Sequence, residues 1–450
     1  MKKKDNIISR RRFIKTGSAI LAGSAWSLTQ AQETKQATEQ VEKIKQYRIL
    51  GRTGFKVSDI GMGGTRNRES NVFRYAYDKG INYFDTAERY IGGQSEKILG
   101  DVLKHMDRKK IFITTKLHVD EEETKADILE RFRKCQERLQ TEYVDALYLH
   151  SVKEVNLLDH SGFHEAVKEL KVQGRLRFCG LSSHGPRQKN QDSMEKVLTA
   201  AAEDGRFDVM LLIYNFMNAE AGENILKACK KNNVGTTAMK TAPGVFKAEP
   251  VDPENLTADQ QKLIKRYQQR GMSEEEALQR LKDRAREMQE SVEKTVPFAK
   301  KYNLTSEEQL KLTSIRWVLQ NPDMHSVCIS FSEFTQIDQT TPLSGSQMSH
   351  SDRRLLQDYG TLLKNSYCRH GCNQCLPACP YHLPVSTIFR YTSYFQNQGR
   401  EKEAMLKYSR LKNTNASLCA DCKAPCLSHC PHGLDIQACL IQAHSQLSLA

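Results

Sequence analysis

The sequence predicts an α/β fold: a (β/α)8 TIM barrel followed by a small α-helical, cysteine-rich domain. Short apolar runs alternate with amphipathic segments from Tyr47 onward, three successive runs end in an ionisable residue, and eight of the thirteen cysteines fall between Cys368 and Cys430. The 450 residues leave room for two or three domains at about 150 residues each. With 39% hydrophobic, 27% charged and 8% aromatic residues, the chain is neither disordered nor a multi-span membrane protein. Its net charge of +13 is no signal for polyanions, because seven Lys/Arg against one acid lie within residues 1–31 and no basic stretch interleaved with aromatics follows. Nucleic acid is not an expected partner.

Residues 1–31 read as an address. The run Ser9-Arg10-Arg11-Arg12-Phe13-Ile14-Lys15 resembles the twin-arginine export signal, and a weakly apolar stretch to Leu28 leads to Thr29-Gln30-Ala31, small residues suited to cleavage. That stretch is shorter than the roughly 20 apolar residues a bilayer span needs, so no membrane span is expected in the mature chain. The resemblance implies a periplasmic or exported protein that leaves the cytoplasm folded and loaded with cofactor, with the twin-arginine machinery as a partner. Residues 32–46, rich in Gln and Glu, read as a linker.

The barrel is expected over residues 47–365. Its strands are placed at Val57–Met62, Asn82–Asp85, Ile111–Thr115, Val144–Leu149, Arg177–Leu181, Val209–Tyr214, Gly235–Met239 and Ser326–Ile329. A doubly wound sheet competes, but Gly61-Met62-Gly63-Gly64 lacks the G-x-G-x-x-G spacing of a dinucleotide-binding turn. Functional groups of such barrels sit where strands end at the C-terminal face. Here three successive strands run out into Asp85, Lys116 and His150.

Asp85-Thr86-Ala87-Glu88-Arg89-Tyr90, followed by Gly93-Gln94-Ser95-Glu96 and Leu99-Gly100, resembles the second-strand block of the aldo-keto reductases. The likeness runs from Tyr47 to about Lys364. It implies that Asp85, Tyr90, Lys116 and His150 form a catalytic tetrad. It also implies that Ser182 and Ser183 of Gly180-Leu181-Ser182-Ser183-His184 hold a nicotinamide carboxamide, with Tyr214 and Asn215 ending the sixth strand beside the cofactor. Lys240, at the end of strand seven, would reach cofactor or substrate. The implied cofactor is NAD(P)(H), and the implied partner is a small carbonyl or alcohol substrate.

The chemistry suits these residue types. Hydride arriving at a carbonyl carbon leaves negative charge on oxygen, so a proton donor and fixed positive charge near that oxygen lower the barrier. Tyr90 would donate, Lys116 is expected to lower the phenol from about 10, Asp85 would orient Lys116, and His150 would hydrogen-bond the substrate oxygen.

Two features depart from the family. Just past strand eight, Ser330 and Gln336 stand where the family's 2′-phosphate clamp carries a lysine and an arginine, and Glu333 would repel a phosphate. The choice between NAD and NADP is therefore open. After Lys240-Thr241-Ala242-Pro243-Gly244 comes an insertion over residues 245–302, charged but nearly balanced. Pairs such as Glu276 and Arg280 suggest one or two surface helices over the barrel mouth.

The tail, residues 366–450, carries two quartets. Cys368, Cys372, Cys375 and Cys379 precede Pro380; Cys419, Cys422, Cys426 and Cys430 precede Pro431. Their spacings, C-x3-C-x2-C-x3-C-P and C-x2-C-x3-C-x3-C-P, resemble the bacterial ferredoxin run. The resemblance implies a ferredoxin-type iron-sulfur domain with two [4Fe-4S] clusters and a redox partner protein, and leaves open whether the fourth cysteine of each run serves the other cluster. Zinc and disulfides are the competing readings. Cys135, Cys179, Cys229 and Cys328 read as inert core thiols and Cys439 as a packed one. Together these features point to an exported aldo-keto reductase-type oxidoreductase coupled to a two-cluster tail. The alternative is an electron-carrier or maturation protein that uses the barrel as a binding scaffold.

Overall fold

The barrel strands form where the apolar runs place them, except at the start. In the computed structural model, which describes residues 42–242, 271–304, 306–448 and scattered positions from 256 to 268, the expected first strand is two strands. Lys56–Ser58 (β2) pairs antiparallel with Tyr47–Ile49 (β1), and Ile60–Gly63 (β3) opens the barrel. Asp59, between them, turns the chain: its carboxylate accepts from the Ser344 hydroxyl at 2.7 Å and from the Gly345 N–H at 2.9 Å.

The barrel then closes in the order β10-β3-β4-β5-β6-β7-β8-β9, every pair parallel. The remaining strands are Tyr83–Asp85 (β4), Phe112–Leu117 (β5), Val144–Leu149 (β6), Leu176–Ser182 (β7), Val209–Ile213 (β8), Gly235–Met239 (β9) and Ser326–Ile329 (β10). Alternation sorts each strand into an outer and an inner set. Outward residues such as Phe84, Ile113 and Leu147 pack under the helices, while Tyr83, Phe112, Tyr148 and Phe178 fill the interior with Leu50 and Val57 of the hairpin. The Tyr83 and Phe112 rings stack at 5.8 Å and those of Phe112 and Phe178 at 5.9 Å. This plug leaves the C-terminal mouth to the last inward residue of each strand.

Residues 1–41, with the twin-arginine run and most of the linker, lie outside the described residues, as do residues 243–255 of the insertion. The insertion's described part contains the helix Glu274–Lys301. Glu276 does not pair with Arg280 as expected. It closes a capping box with Ser273, and Arg280 lies over the Tyr267 ring at 5.6 Å. Near its end the helix is fastened by Phe298 stacking on Tyr359 at 5.5 Å and by Lys301 on Asp358 at 2.6 Å. Among the described residues, no helix is long and apolar enough to cross a membrane.

The tail forms a separate apolar cluster from the helices Val385–Gln398, Glu401–Ser409 and Ile436–Leu447. Its two halves repeat. Cys379-Pro380-Tyr381-His382-Leu383 and Cys430-Pro431-His432-Gly433-Leu434 each lead into a helix, and in each the leucine N–H donates to the cysteine Sγ at 3.4 Å. His382 and Gly433 turn both loops with φ of 51° and 64°.

The first cysteine loop sits against the barrel mouth. A Cβ on Gly185, at φ +77°, would lie 2.9 Å from the Gly371 Cα, so the two loops approach backbone to backbone. Asn373 donates to the Pro186 carbonyl at 2.7 Å and Arg66 to that of Gln398 at 2.9 Å.

Candidate active site

Asp85, Lys116 and His150 are the topmost inward residues of three neighbouring strands, and the structure brings them together beneath Tyr90. Lys116 is fully buried, so its ammonium needs fixed partners. It pairs with Asp85 Oδ2 at 2.5 Å and donates to the Thr86 carbonyl at 2.7 Å, while Thr114 Oγ1 donates to the same carboxylate oxygen at 2.8 Å. Tyr90 closes the set from the loop after β4. Its ring lies 4.9 Å from Lys116 Nζ and edge-on to the His150 ring at 5.8 Å. The loop turns through three left-handed residues, Ile91 (φ 52°), Gly92 (φ 65°) and Gly93 (φ 87°). The two glycines adopt this region freely, whereas the β-branched Ile91 is strained there, at a cost on the order of 1–3 kcal/mol. Arg131 secures the same loop by pairing with Glu88 and donating to the His118 carbonyl at 2.7 Å.

The expected lowering of Tyr90 by Lys116 does not occur. Burial, then the Asp85 charge, push the phenol well above its ordinary value. The reason is geometric: the ammonium is committed to Asp85 and the Thr86 carbonyl and lies over the tyrosine ring. Tyr90 therefore holds its proton, which makes it a donor toward any oxygen more basic than a phenolate. Burial, then the cations and imidazoles around it, hold His150 well below its ordinary value, so the ring is neutral at pH 7. Its Nδ1 is buried without a hydrogen-bond partner.

The implied cofactor residues divide. Ser182, Ser183 and Asn215 are buried at strand ends with their side chains already engaged. Ser182 Oγ accepts from Ser151 N at 2.9 Å, Ser183 Oγ from Gly185 N at 3.2 Å, and Asn215 Nδ2 donates to the Lys240 carbonyl at 2.9 Å. Tyr214 is not brought to the mouth. Its hydroxyl donates to Glu223 and accepts from Asn321 at 3.0 Å, and its ring packs on Trp317 at 5.0 Å in the helical layer. Lys240 does face the mouth, at φ 55°, with Nζ 2.9 Å from His184 Nδ1. Ser330 and Gln336 are tied locally, Ser330 Oγ to Thr65 Oγ1 at 2.5 Å and Gln336 Oε1 to Ser332 N at 2.9 Å.

Asp85, Tyr90, His150, Lys240, Ser330 and Gln336 line a cavity of about 1390 Å³ that the tail helps to enclose. Sequence reasoning missed His118, whose ring stacks on His150 at 4.1 Å, together with Arg187 and Arg390 of the cavity wall. His118 was findable, because it stands two residues after Lys116, one residue past the end of β5, where the strand's alternation carried one step on faces the same side. Cys328 also faces this cavity, with burial and Asp85 holding its thiol high. Cys135, Cys179 and Cys229 are buried core thiols as expected, the last two pushed up to about 12 by burial.

A model of the aldo/keto reductase family matches residues 59–357. The chain belongs to that family. Relatives include the uncharacterized oxidoreductase YqkF of Bacillus subtilis (strain 168), 34% identical over 153 residues that cover 31% of this chain and 49% of that protein. The probable aldo-keto reductase 1 of Glycine max is 25% identical over 336 residues, 70% of this chain and 88% of that one. The match to the first relative thus spans about half of its length. Among solved structures, the aldo-keto reductase AKR11C1 from Bacillus halodurans aligns with a TM-score of 0.48 at 20% identity, covering 70% of this chain and 96% of that one.

All thirteen cysteines, nine of them in the tail, are free thiols, none in a disulfide. The eight tail thiols sort into two sets that exchange their last members. Burial, then Cys372, Cys375, Cys430 and Cys439, hold Cys368 high; burial, then Cys379, Cys426 and Cys422, push Cys419 up to about 12. Cys368, Cys372, Cys375 and Cys430 line one small cavity with Arg369 and Pro431. No three His, Cys, Asp or Glu among the described residues lie close enough to hold a single metal ion.

Proposed function

We propose that the protein is an exported oxidoreductase that interconverts a carbonyl and an alcohol at the barrel mouth, coupled to electron transfer through the tail. The observation that carries this is that Tyr90, Asp85 and His150, with Lys116 buried against Asp85 and under the Tyr90 ring, open onto one cavity that the tail also walls. A bound nicotinamide would supply the hydride. On reduction, the carbonyl carbon gains the hydride's electron pair and the oxygen takes the Tyr90 proton. His150, neutral, can donate a hydrogen bond to that oxygen as charge develops on it. Asp85 keeps Lys116 charged and in place. Ser182, Ser183 and Asn215, at the strand ends, would hold the nicotinamide carboxamide side of the site, and they fix the Ser151, Gly185 and Lys240 backbone there. With Ser330 and Gln336 tied locally, nothing at strand ten selects NADP over NAD.

The two cysteine runs, each closed by a proline, support two [4Fe-4S] clusters in the tail, which would supply single-electron transfer. Cys368, Cys372, Cys375 and Cys430 would hold one, and Cys379, Cys419, Cys422 and Cys426 the other. The backbone N–H donors to Cys379, Cys422 and Cys430 sulfurs, all at 3.4 Å, are of the kind that stabilises thiolate ligands. The division into signal (1–31), linker (32–46), barrel (47–365) and tail (366–450) belongs to this reading, as do the periplasmic destination and a redox partner. The Ser9–Lys15 run supports export. The scaffold alternative leaves the complete tetrad unexplained.

The test is an anaerobic titration of the full chain with NADH and NADPH, following the broad visible absorbance of iron-sulfur clusters. Both reductants should bleach it with similar affinity. Iron-free protein, or clusters indifferent to both reductants, would sink the coupled reaction.

A further inference from the structure

The cavity wall carries a group of cations that the tetrad does not use. Arg187 comes from the loop after β7, Lys240 from the end of β9, and Arg390 from the first tail helix; all three line the cavity with Tyr90 and His150. Among the described residues, none of the three pairs with a carboxylate, whereas the cavity's Asp85, Glu308 and Glu403 are paired with Lys116, Lys311 and Arg400. Arg390 Nε is buried with no hydrogen-bond partner. Lys240 Nζ has only the imidazole of His184.

Such a group is costly to bury. Burial, then Arg390, lowers Arg187; burial, then Arg390 and Arg187, hold Lys240 far below its ordinary value. Like charges gathered without a counter-charge destabilise one another unless an anion joins them. The group stands at the reacting end of the cavity, since the Arg187 charge is felt by both His118 and His150. Two guanidinium forks and an ammonium match the in-plane oxygens of a carboxylate, which arginine binds bidentately.

We propose that Arg187, Lys240 and Arg390 clamp the carboxylate of an anionic carbonyl substrate, so that the tail contributes a substrate-binding residue to the barrel's site. This rests on the oxidoreductase reading above for the word substrate, and on the cation geometry alone for the clamp. A dinucleotide phosphate offers related chemistry, and the two sources are separable.

The experiment compares 4-formylbenzoate with methyl 4-formylbenzoate, which keeps the aldehyde and loses the charge. Isothermal titration into the full holoprotein should show the carboxylate binding at least ten-fold tighter than the ester. Arg390→Gln and Arg187→Gln should each abolish that preference, Arg390→Lys should retain part of it, and NADPH affinity by fluorescence quenching should be unchanged. Melting curves verify that the variants fold. Equal binding of acid and ester by the wild type overturns the clamp. So do variants that keep the preference but lose NADPH, which would assign the cations to a dinucleotide phosphate. Failure to turn over either aldehyde, with the binding preference intact, overturns the oxidoreductase reading and leaves the clamp standing.

Discussion

At the N-terminal end of the barrel, the buried carboxylates of Asp145 and Asp59 have partner groups. Asp145 lies 2.7 Å from Arg108 and 3.1 Å from Arg177 and accepts the Ile113 N–H at 2.9 Å; Asp59 accepts from Ser344 and Gly345. At the C-terminal end, Lys116 has Asp85, but Arg187, Lys240 and Arg390 line one wall and, among the described residues, pair with no carboxylate. The same fold thus neutralises charge at the closed end of the barrel and gathers unpaired cations where the cavity opens. The difference locates function by electrostatics as well as by strand direction.

Breaking the compensated end should have the largest effect. Arg108→Ala leaves Asp145 fully buried with a weaker set of partners, and removing one member of such a pair costs about 3–5 kcal/mol. A urea titration should show a lower midpoint at unchanged slope; a midpoint near the wild-type value would remove the contrast between the two ends. At the other end, Tyr90→Phe should leave that midpoint in place and reduce carbonyl turnover by about 10²-fold or more, the contribution of a general acid. Turnover within a few-fold of wild type would unseat Tyr90 as proton donor.

Acid titration samples both ends at once. His325, beside Thr236 at the N-terminal end, and His118 at the mouth are each lowered to about 4, chiefly by burial. An unfolded histidine titrates near about 6.5, so below that pH the unfolded chain binds protons that the native chain refuses. Their contribution to stability is complete above pH 6.5 and is lost as pH falls toward 4. Thermal melting between those values should show a declining midpoint, and His325→Gln or His118→Gln should flatten the decline. The smallest effect belongs to Gly185→Ala. A left-handed alanine costs about 1–2 kcal/mol, and its Cβ would meet the Gly371 backbone. Tryptic cleavage at Lys364 and Arg369 should quicken while the barrel's own transition stays put.

Much of this was legible in residue order. Each barrel strand is a short apolar run between helical segments, and period-2 alternation forces Asp85 and Lys116 to face inward. The hairpin was misread because Lys56–Ser58 and Ile60–Gly63 are separated by one residue, and only pairing partners reveal the break. Tyr214 was misplaced because a tyrosine at a strand end can turn either way; Glu223 and Asn321 draw it outward. The effect of Lys116 on Tyr90 was misjudged because sequence names a cation without saying where its ammonium points.

The sequence alone determined the barrel, the strand-end placement of Asp85, Lys116 and His150 and the two cysteine runs, because these depend on local periodicity and on spacing within single segments. Tertiary structure decided the rest. The exchange of Cys379 and Cys430 between the two thiol sets, and the meeting of Arg390 with Arg187 and Lys240, bring together residues far apart in the chain. Which of them meet depends on how the tail folds upon itself and docks on the mouth, and no local pattern encodes that.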